Sequence, residues 1–238
     1  MPFFTLFTLS LMLVVSSAAV QAGGTVRVAV DSAGAQGNSG SFVPSLSATG
    51  RWVAFASGAT NLVAGDTNAA TDIFVHDLKT GQTVRVAVDS AGGQSNDSSF
   101  VPAISANGRV VAFDSLATNL VAGDTNGNRD VFVYDRTTGQ TVRVSVDSAG
   151  VQGNSSSFDP SISANGRWVA FQSFATNLVA GDTNGDRDIF VHDLTTGETV
   201  RVSADSAGIQ GNGASFSDSR ATGGVRGRTR NPKRGSRN

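Results

Sequence analysis

The chain has 238 residues, 39% of them hydrophobic, with no cysteine and a formal net charge of −1; this is enough apolar material for a core, and it excludes disulfides, thiolate metal sites and a cysteine nucleophile. Glu198 is the only glutamate and Lys79 and Lys233 are the only lysines, so the charged face of surface helices is missing, while 28 glycines among many Ser, Thr, Asn, Val and Phe favour short strands joined by turns. The near-neutral total hides an asymmetry: residues 220–238 carry seven of the 18 basic side chains and no acid, against an acidic body.

In chain order, the first element expected is an export signal over residues 1–22. An apolar run from Phe3 to Val15 leads to small residues, and Val20-Gln21-Ala22 before Gly23 fits the small-residue cleavage rule. The run is short of the ~20 residues of a spanning helix, so a secreted or periplasmic location with no stable membrane span after cleavage is expected. The absence of Lys or Arg before Phe3 is a departure from the usual signal. Next comes TVRVAVD, Thr25–Asp31, read as an orphan strand matching Thr83–Asp89 and Thr141–Asp147.

A repeat then begins. PSLSATGRWVAF at 44–55 recurs as PAISANGRVVAF at 102–113 and PSISANGRWVAF at 160–171, a fixed step of 58 residues that marks a repeat architecture. The third unit divides into four strand candidates: Asp159–Ser163, Arg167–Ser173, Asp188–Leu194 and Thr199–Asp205. Two of these runs are apolar on consecutive residues, so both faces are buried. Four short antiparallel strands with covered middle strands are what a blade stacked between two other blades requires. Asn-Gly and Thr-Gly supply the positive φ of the tight turns, and Pro44, Pro102 and Pro160 are placed at the first residues of the innermost strands. The fold class read here is all-β, with β-propeller-type four-stranded blades at about 43–89, 101–147 and 159–205 plus the orphan strand at 25–31, an incomplete or open propeller.

GRWVAF, DIFVHDLTTG and TVRVS, taken together, resemble the TolB-like, WD-repeat-like propeller repeat, in which a Gly-Arg/Lys-x-Ile/Val-Ala-Phe strand precedes an Ile-x-Val-x-Asp-x-x-Thr-Gly turn. The resemblance covers about residues 25–218. It implies a propeller fold and leaves function open, since that family includes scaffolds, translocation components and the propeller halves of peptidases. Ala-Thr-Gly or Ala-Asn-Gly stands here for the family's Pro-Asp-Gly, and the loop between the second and third strands is longer than usual.

That loop holds the one constellation with metal chemistry in view. Asp182, Asn184, Asp186 and Asp188 alternate along it, echoed by Asp124, Asn126, Asn128 and Asp130 and more weakly by Asp66, Asn68 and Asp72. Alternating oxygens suit calcium, which takes 6 to 8 of them. Glycine is missing from the sixth position of an EF-hand spacing, and Asp193, at the twelfth, lies along a strand that carries it away. Two readings stand: a Ca²⁺ loop, or a set of Asx-turns that cap a loop entering a strand. His76 and His192 share a repeat position with Tyr134, an exchange that favours a structural role. No Gly-x-Ser-x-Gly elbow occurs.

The periodicity holds through Phe216 and then fails. Residues 219–238 form a basic segment too poor in apolar residues to bury a core, expected to be disordered; a reading-frame shift near residue 218, an inert solvated tail and a polyanion-binding tail are the three readings of it. The function expected is an exported, non-enzymatic repeat module for protein or ligand interaction, with a protein or carbohydrate partner, no nucleic acid, and oligomerisation to cover open blade edges. The alternative is the propeller half of a TolB-like hydrolase or peptidase whose catalytic domain is missing. A partner is expected on the rim carrying the long segments Ser173–Arg187 and Ser206–Ser215.

Overall fold

A computed structural model of the chain describes residues 24–215. The expected signal segment and the basic tail from 219 onward lie outside the described residues.

Each repeat folds on the pairing of two apolar strands. In the first, β2 (Trp52–Ser57) and β3 (Asp72–Asp77) run antiparallel with Phe55 opposite Phe74. β1 (Ser41–Leu46) and β4 (Thr83–Arg85) flank them, giving the order β1-β2-β3-β4. The second repeat forms β5 (Ser99–Ile104), β6 (Val110–Ser115), β7 (Asp130–Asp135) and β8 (Gln140–Arg143) in the same order. The third forms β9 (Ser157–Ile162), β10 (Trp168–Ser173), β11 (Asp188–Asp193) and β12 (Thr199–Arg201). The three sheets are the expected four-stranded blades, and the described residues contain no helix.

Alternation along the middle strands makes each blade two-sided. Ala54, Ala56, Ile73 and Val75 face the second blade, where they meet Ile104, Val111, Phe113 and Phe132; Ala112, Val131 and Val133 likewise meet Phe171 and Phe190 of the third. A small face packs on a large one, as close packing at a fixed blade spacing requires. Neighbouring blades touch through their inner strands: β5 lies against β1, β2 and β3, and β9 against β5, β6 and β7. Burying each phenylalanine of the stacked pairs Phe55–Phe74, Phe113–Phe132 and Phe171–Phe190 contributes roughly 1.5–3 kcal/mol.

Three details depart from the sequence reading. Pro44, Pro102 and Pro160 sit inside their strands, within a bulge where two residues oppose one: the register jumps between Phe42 and Ser45, between Phe100 and Ala103, and on β10 between Ala170 and Gln172. A bulge tolerates the missing N–H. The residue before each proline, Val43, Val101 or Asp159, takes a positive φ of 49°, 41° or 52°, costly for valine. The fourth strands stop at Arg85, Arg143 and Arg201, because the chain then bends and Val86, Val144 and Val202 turn in to bond the carbonyls of Ile73, Val131 and Ile189. Thr25–Asp31 is not a regular strand, because no third strand among the described residues pairs with it as β3 pairs with β4; Val30 makes a single bridge to Gln36, and Val28 and Ala29 pack on the Phe55–Phe74 cluster.

Candidate functional site

The tight turns emerge on one rim and the long loops and blade-to-blade links on the other. On the tight-turn rim each blade carries the same clasp. Arg51 donates from Nε and Nη2 to the two oxygens of Asp77 at 2.8 and 2.6 Å, repeated as Arg109–Asp135 and Arg167–Asp193. These guanidiniums, with backbone N–H donors, hold Asp77, Asp135 and Asp193 below the usual carboxylate range. Asp193 is thereby fixed on the rim opposite its own long loop.

On the long-loop rim the polar side chains stitch blades together. Asn96 of the first link accepts the Thr118 N–H, donates to Thr118 Oγ1 and takes Asn119 Oδ1 on its own N–H. Asn38–Thr60–Asn61 and Asn154–Thr176–Asn177 repeat the pattern. On the outer side Thr83 donates its hydroxyl to Val30 O, Thr141 to Val88 O and Thr199 to Val146 O. Since that hydroxyl hydrogen is spent, His76 and His192 must donate from Nδ1 to Thr83 and Thr199, 2.9 and 2.8 Å away. Both imidazoles are buried and burial lowers their pKa, so they are neutral packing groups.

The alternating Asp/Asn residues belong to this stitching. Asn184 Oδ1 accepts the Asp186 N–H at 2.8 Å, an Asx-turn, while its amide donates to Gly211 O across the next link. Asp182 and Asp188 both accept from Gln210 Nε2, at 2.8 and 3.0 Å, and lie 3.7 and 3.8 Å from Arg201 Nη1. In the second blade Asn126 Oδ1 accepts the Asn128 N–H, Asn126 donates to Asp130 and Gly153 O, and Arg143 pairs with Asp124 and Asp130. Burial, partly offset by Arg143, raises the pKa of Asp124; in Asp130 burial is likewise the main cause and Ser145 opposes it first. A calcium ion would have to displace a side-chain amide and compete with an arginine in each loop, so the residues as arranged do not fit the six to eight oxygens it needs. Among the described residues no group of three or more His, Asp or Glu comes together in a way that could hold a metal.

One constellation breaks the repeat, and the sequence reading passed over it. Four of the positions at which the units differ in charge or size are Ala56, Asp114 and Gln172; Val43, Val101 and Asp159; Thr71, Arg129 and Arg187; Gly58, Leu116 and Phe174. The fold gathers the second and third versions at the inner end of the long-loop rim. Arg129 pairs with Asp114 and lies over the Phe100 ring at 4.5 Å. Asp114 accepts the backbone N–H of Asp159, whose carboxylate takes the Gln172 amide at 3.1 Å. Next to it Phe158 and Phe174 pack at 5.8 Å, with the Arg187 guanidinium over both rings. Asp114 is fully buried, and burial, opposed by Arg129, pushes its pKa up to about 7; Phe174 is 44% exposed. A comparison of the three repeats position by position is the signal that finds this cluster, because duplication makes every unchanged position uninformative.

No family model matches the chain, and no curated protein matches it. Among solved structures the chain is similar to TolB from Acinetobacter baumannii, at 18% identity and a TM-score of 0.45 over 72% of this chain and 34% of that one. An acylaminoacyl peptidase from Pyrococcus horikoshii matches at 13% and 0.42, over 68% of this chain and 24% of that one. A nidogen/laminin complex matches at 9% and 0.38, over 74% and 51%. The chain thus spans about a third of the TolB structure and a quarter of the peptidase.

Proposed function

We propose that the chain is an exported, non-enzymatic propeller module that binds a protein partner through the inner end of its long-loop rim. The observation that carries this reading is the convergence there of four positions at which the repeats differ in charge or size. Arg and aromatic side chains with an exposed ring edge are the groups that dominate protein–protein contacts. Arg187 and Phe174 supply such an anchor, and Arg129 and Asp159, fixed by buried neighbours, supply oriented polar groups beside it. The Asn and Thr side chains of the Asn38, Asn96 and Asn154 groups on the same rim are committed to stitching the blades. The two histidines are buried and committed to threonines, which supports a binding role over chemistry.

The test is capture from an extracellular or periplasmic extract of the source cells by immobilised chain, side by side with Phe174→Ser/Arg187→Ala. A partner retained by the natural chain and lost by the variant, with the circular dichroism of the two unchanged, is the expected result. A partner retained equally by both places binding elsewhere, and turnover of ester or peptide substrates by the purified chain would replace the reading with an enzymatic one.

A further inference from the structure

The two faces at the ends of the blade stack are complementary halves of an interface that the molecule already contains twice. Between the first and second blades Trp52 presses on Gly108, so closely that a Cβ there would lie 2.1 Å from the indole; between the second and third Val110 presses on Gly166, at 2.9 Å from such a Cβ. The third member of the donor series, Trp168, is 39% exposed, and the first member of the receiver series, Gly50, has nothing within 4 Å of a Cβ. The same holds for the flanking residues. Ile104 is 8% exposed and its N–H reaches Ser45 Oγ of the preceding blade; its counterpart Leu46 is 61% exposed, and Ser161, the counterpart of Ser45, is exposed as well. Val86 and Val144 are fully buried, whereas Val202 is 44% exposed.

We propose that a second copy of the chain covers these faces, the third blade of each copy stacking on the first blade of the other to close a ring of six blades. Trp168 then takes Gly50 as its receiver, and Ser161 takes the Leu46 N–H. One segment must yield: residues 28–38 already occupy the slot on the first blade that the partner's link would fill. The exchange is close to neutral in hydrogen bonds. The partner's Ser206, Asn212 and Ala204 O stand at the repeat positions of Ser32, Asn38 and Val30 O, which bond Thr83, Thr60 and Asn61 in the structure. Its Val202 stands at the position of Val28, which packs on Phe55 and Phe74. The gain is the apolar area of both end faces, removed from water twice by the two-fold arrangement. Six blades fall within the roughly four to eight at which propellers close, and a head-to-tail contact that closes gives a defined oligomer. This inference is independent of the partner reading above, which concerns the rim.

Sedimentation equilibrium of the purified chain at micromolar concentration tests it. Twice the chain mass is expected for the natural chain and a single copy for Leu46→Arg, whose change lies on an exposed side chain and should leave the circular dichroism unaltered. Because the chain has no cysteine, Leu46→Cys/Ser161→Cys should yield a disulfide-linked dimer on mild oxidation, with mass spectrometry joining 46 of one copy to 161 of the other. A natural chain that sediments as one copy, or as an open ladder of masses, or a dimer linked only 46 to 46, would overturn the proposal.

Discussion

The buried carboxylate that opens the third strand of each blade needs a hydroxyl on Oδ1, and the three repeats provide it from two places. Ser145 donates to Asp130 and Ser203 to Asp188, both at 2.5 Å, from the position just after the fourth strand. In the first repeat that position is Ala87, and Ser95 donates to Asp72 at 2.6 Å from a position that is Gly153 and Gly211 in the others. Ser95→Gly should therefore cost about 1–3 kcal/mol, the cost of an unsatisfied buried group, and Ala87→Ser should restore most of it; additive losses in denaturant unfolding would contradict the exchange. Ala69 is a second asymmetry. It holds φ 55° where Gly127 and Gly185 hold 63° and 64°, so Ala69→Gly should stabilise by roughly 1 kcal/mol, measured in the same way.

Titration belongs to the same scale. Asp114 has its pKa raised by burial to about 7 from 3.8, so its contribution is fully present below 3.8 and is lost as pH rises to 7. Asp114→Asn should gain on the natural chain across that window, on the order of 4 kcal/mol as an upper bound, and a constant difference between pH 4 and 8 would show that Asp114 does not titrate there. His76 and His192, with pKa lowered by burial, act at the other end: their contribution is present above the unfolded value near 6.5 and falls away as pH drops below it.

At the scale of the element, the strands were legible because their residues are apolar on both faces and their turns need glycine. The bulges were not. A proline reads as a strand start, and nothing in Val43-Pro44 or Val101-Pro102 announces a valine with positive φ, a conformation that the paired strand and the packed blade impose. The Asp/Asn loop was ambiguous for a similar reason: its oxygens are spaced as a cation loop is, and what commits them, Arg201 and Gln210, lies on other segments. Millimolar calcium should accordingly leave the thermal midpoint unchanged, and a rise that Asp182→Asn/Asp188→Asn abolishes would contradict the arginine-held arrangement. Blade contacts make a sharper forecast. In the single-copy Leu46→Arg background, Gly108→Ala and Gly50→Ala share the cost of a positive φ, 74° and 69°, but only the first meets an indole, so it should be the more destabilising by about 1–3 kcal/mol, the usual cost of overpacking.

Over the whole molecule, positions unchanged between units supply the repeated stitching, and one group of changed positions builds the rim cluster. Stitching residues recur in every unit because each blade must grip the next in the same way, whereas Asp114, Asp159, Arg129, Arg187 and Phe174 have no structural duty that their counterparts in the first repeat also perform. The repeats are thus internal controls for one another. A photo-crosslinking phenylalanine placed in turn at the equivalent positions 58, 116 and 174, followed by exposure to extracellular or periplasmic extract, measures directly whether binding follows the departures from the repeat. Capture of one partner from position 174, weaker capture from 116 and none from 58 is the expected pattern; equal capture from all three, or capture only from the tight-turn rim at position 137, would contradict it.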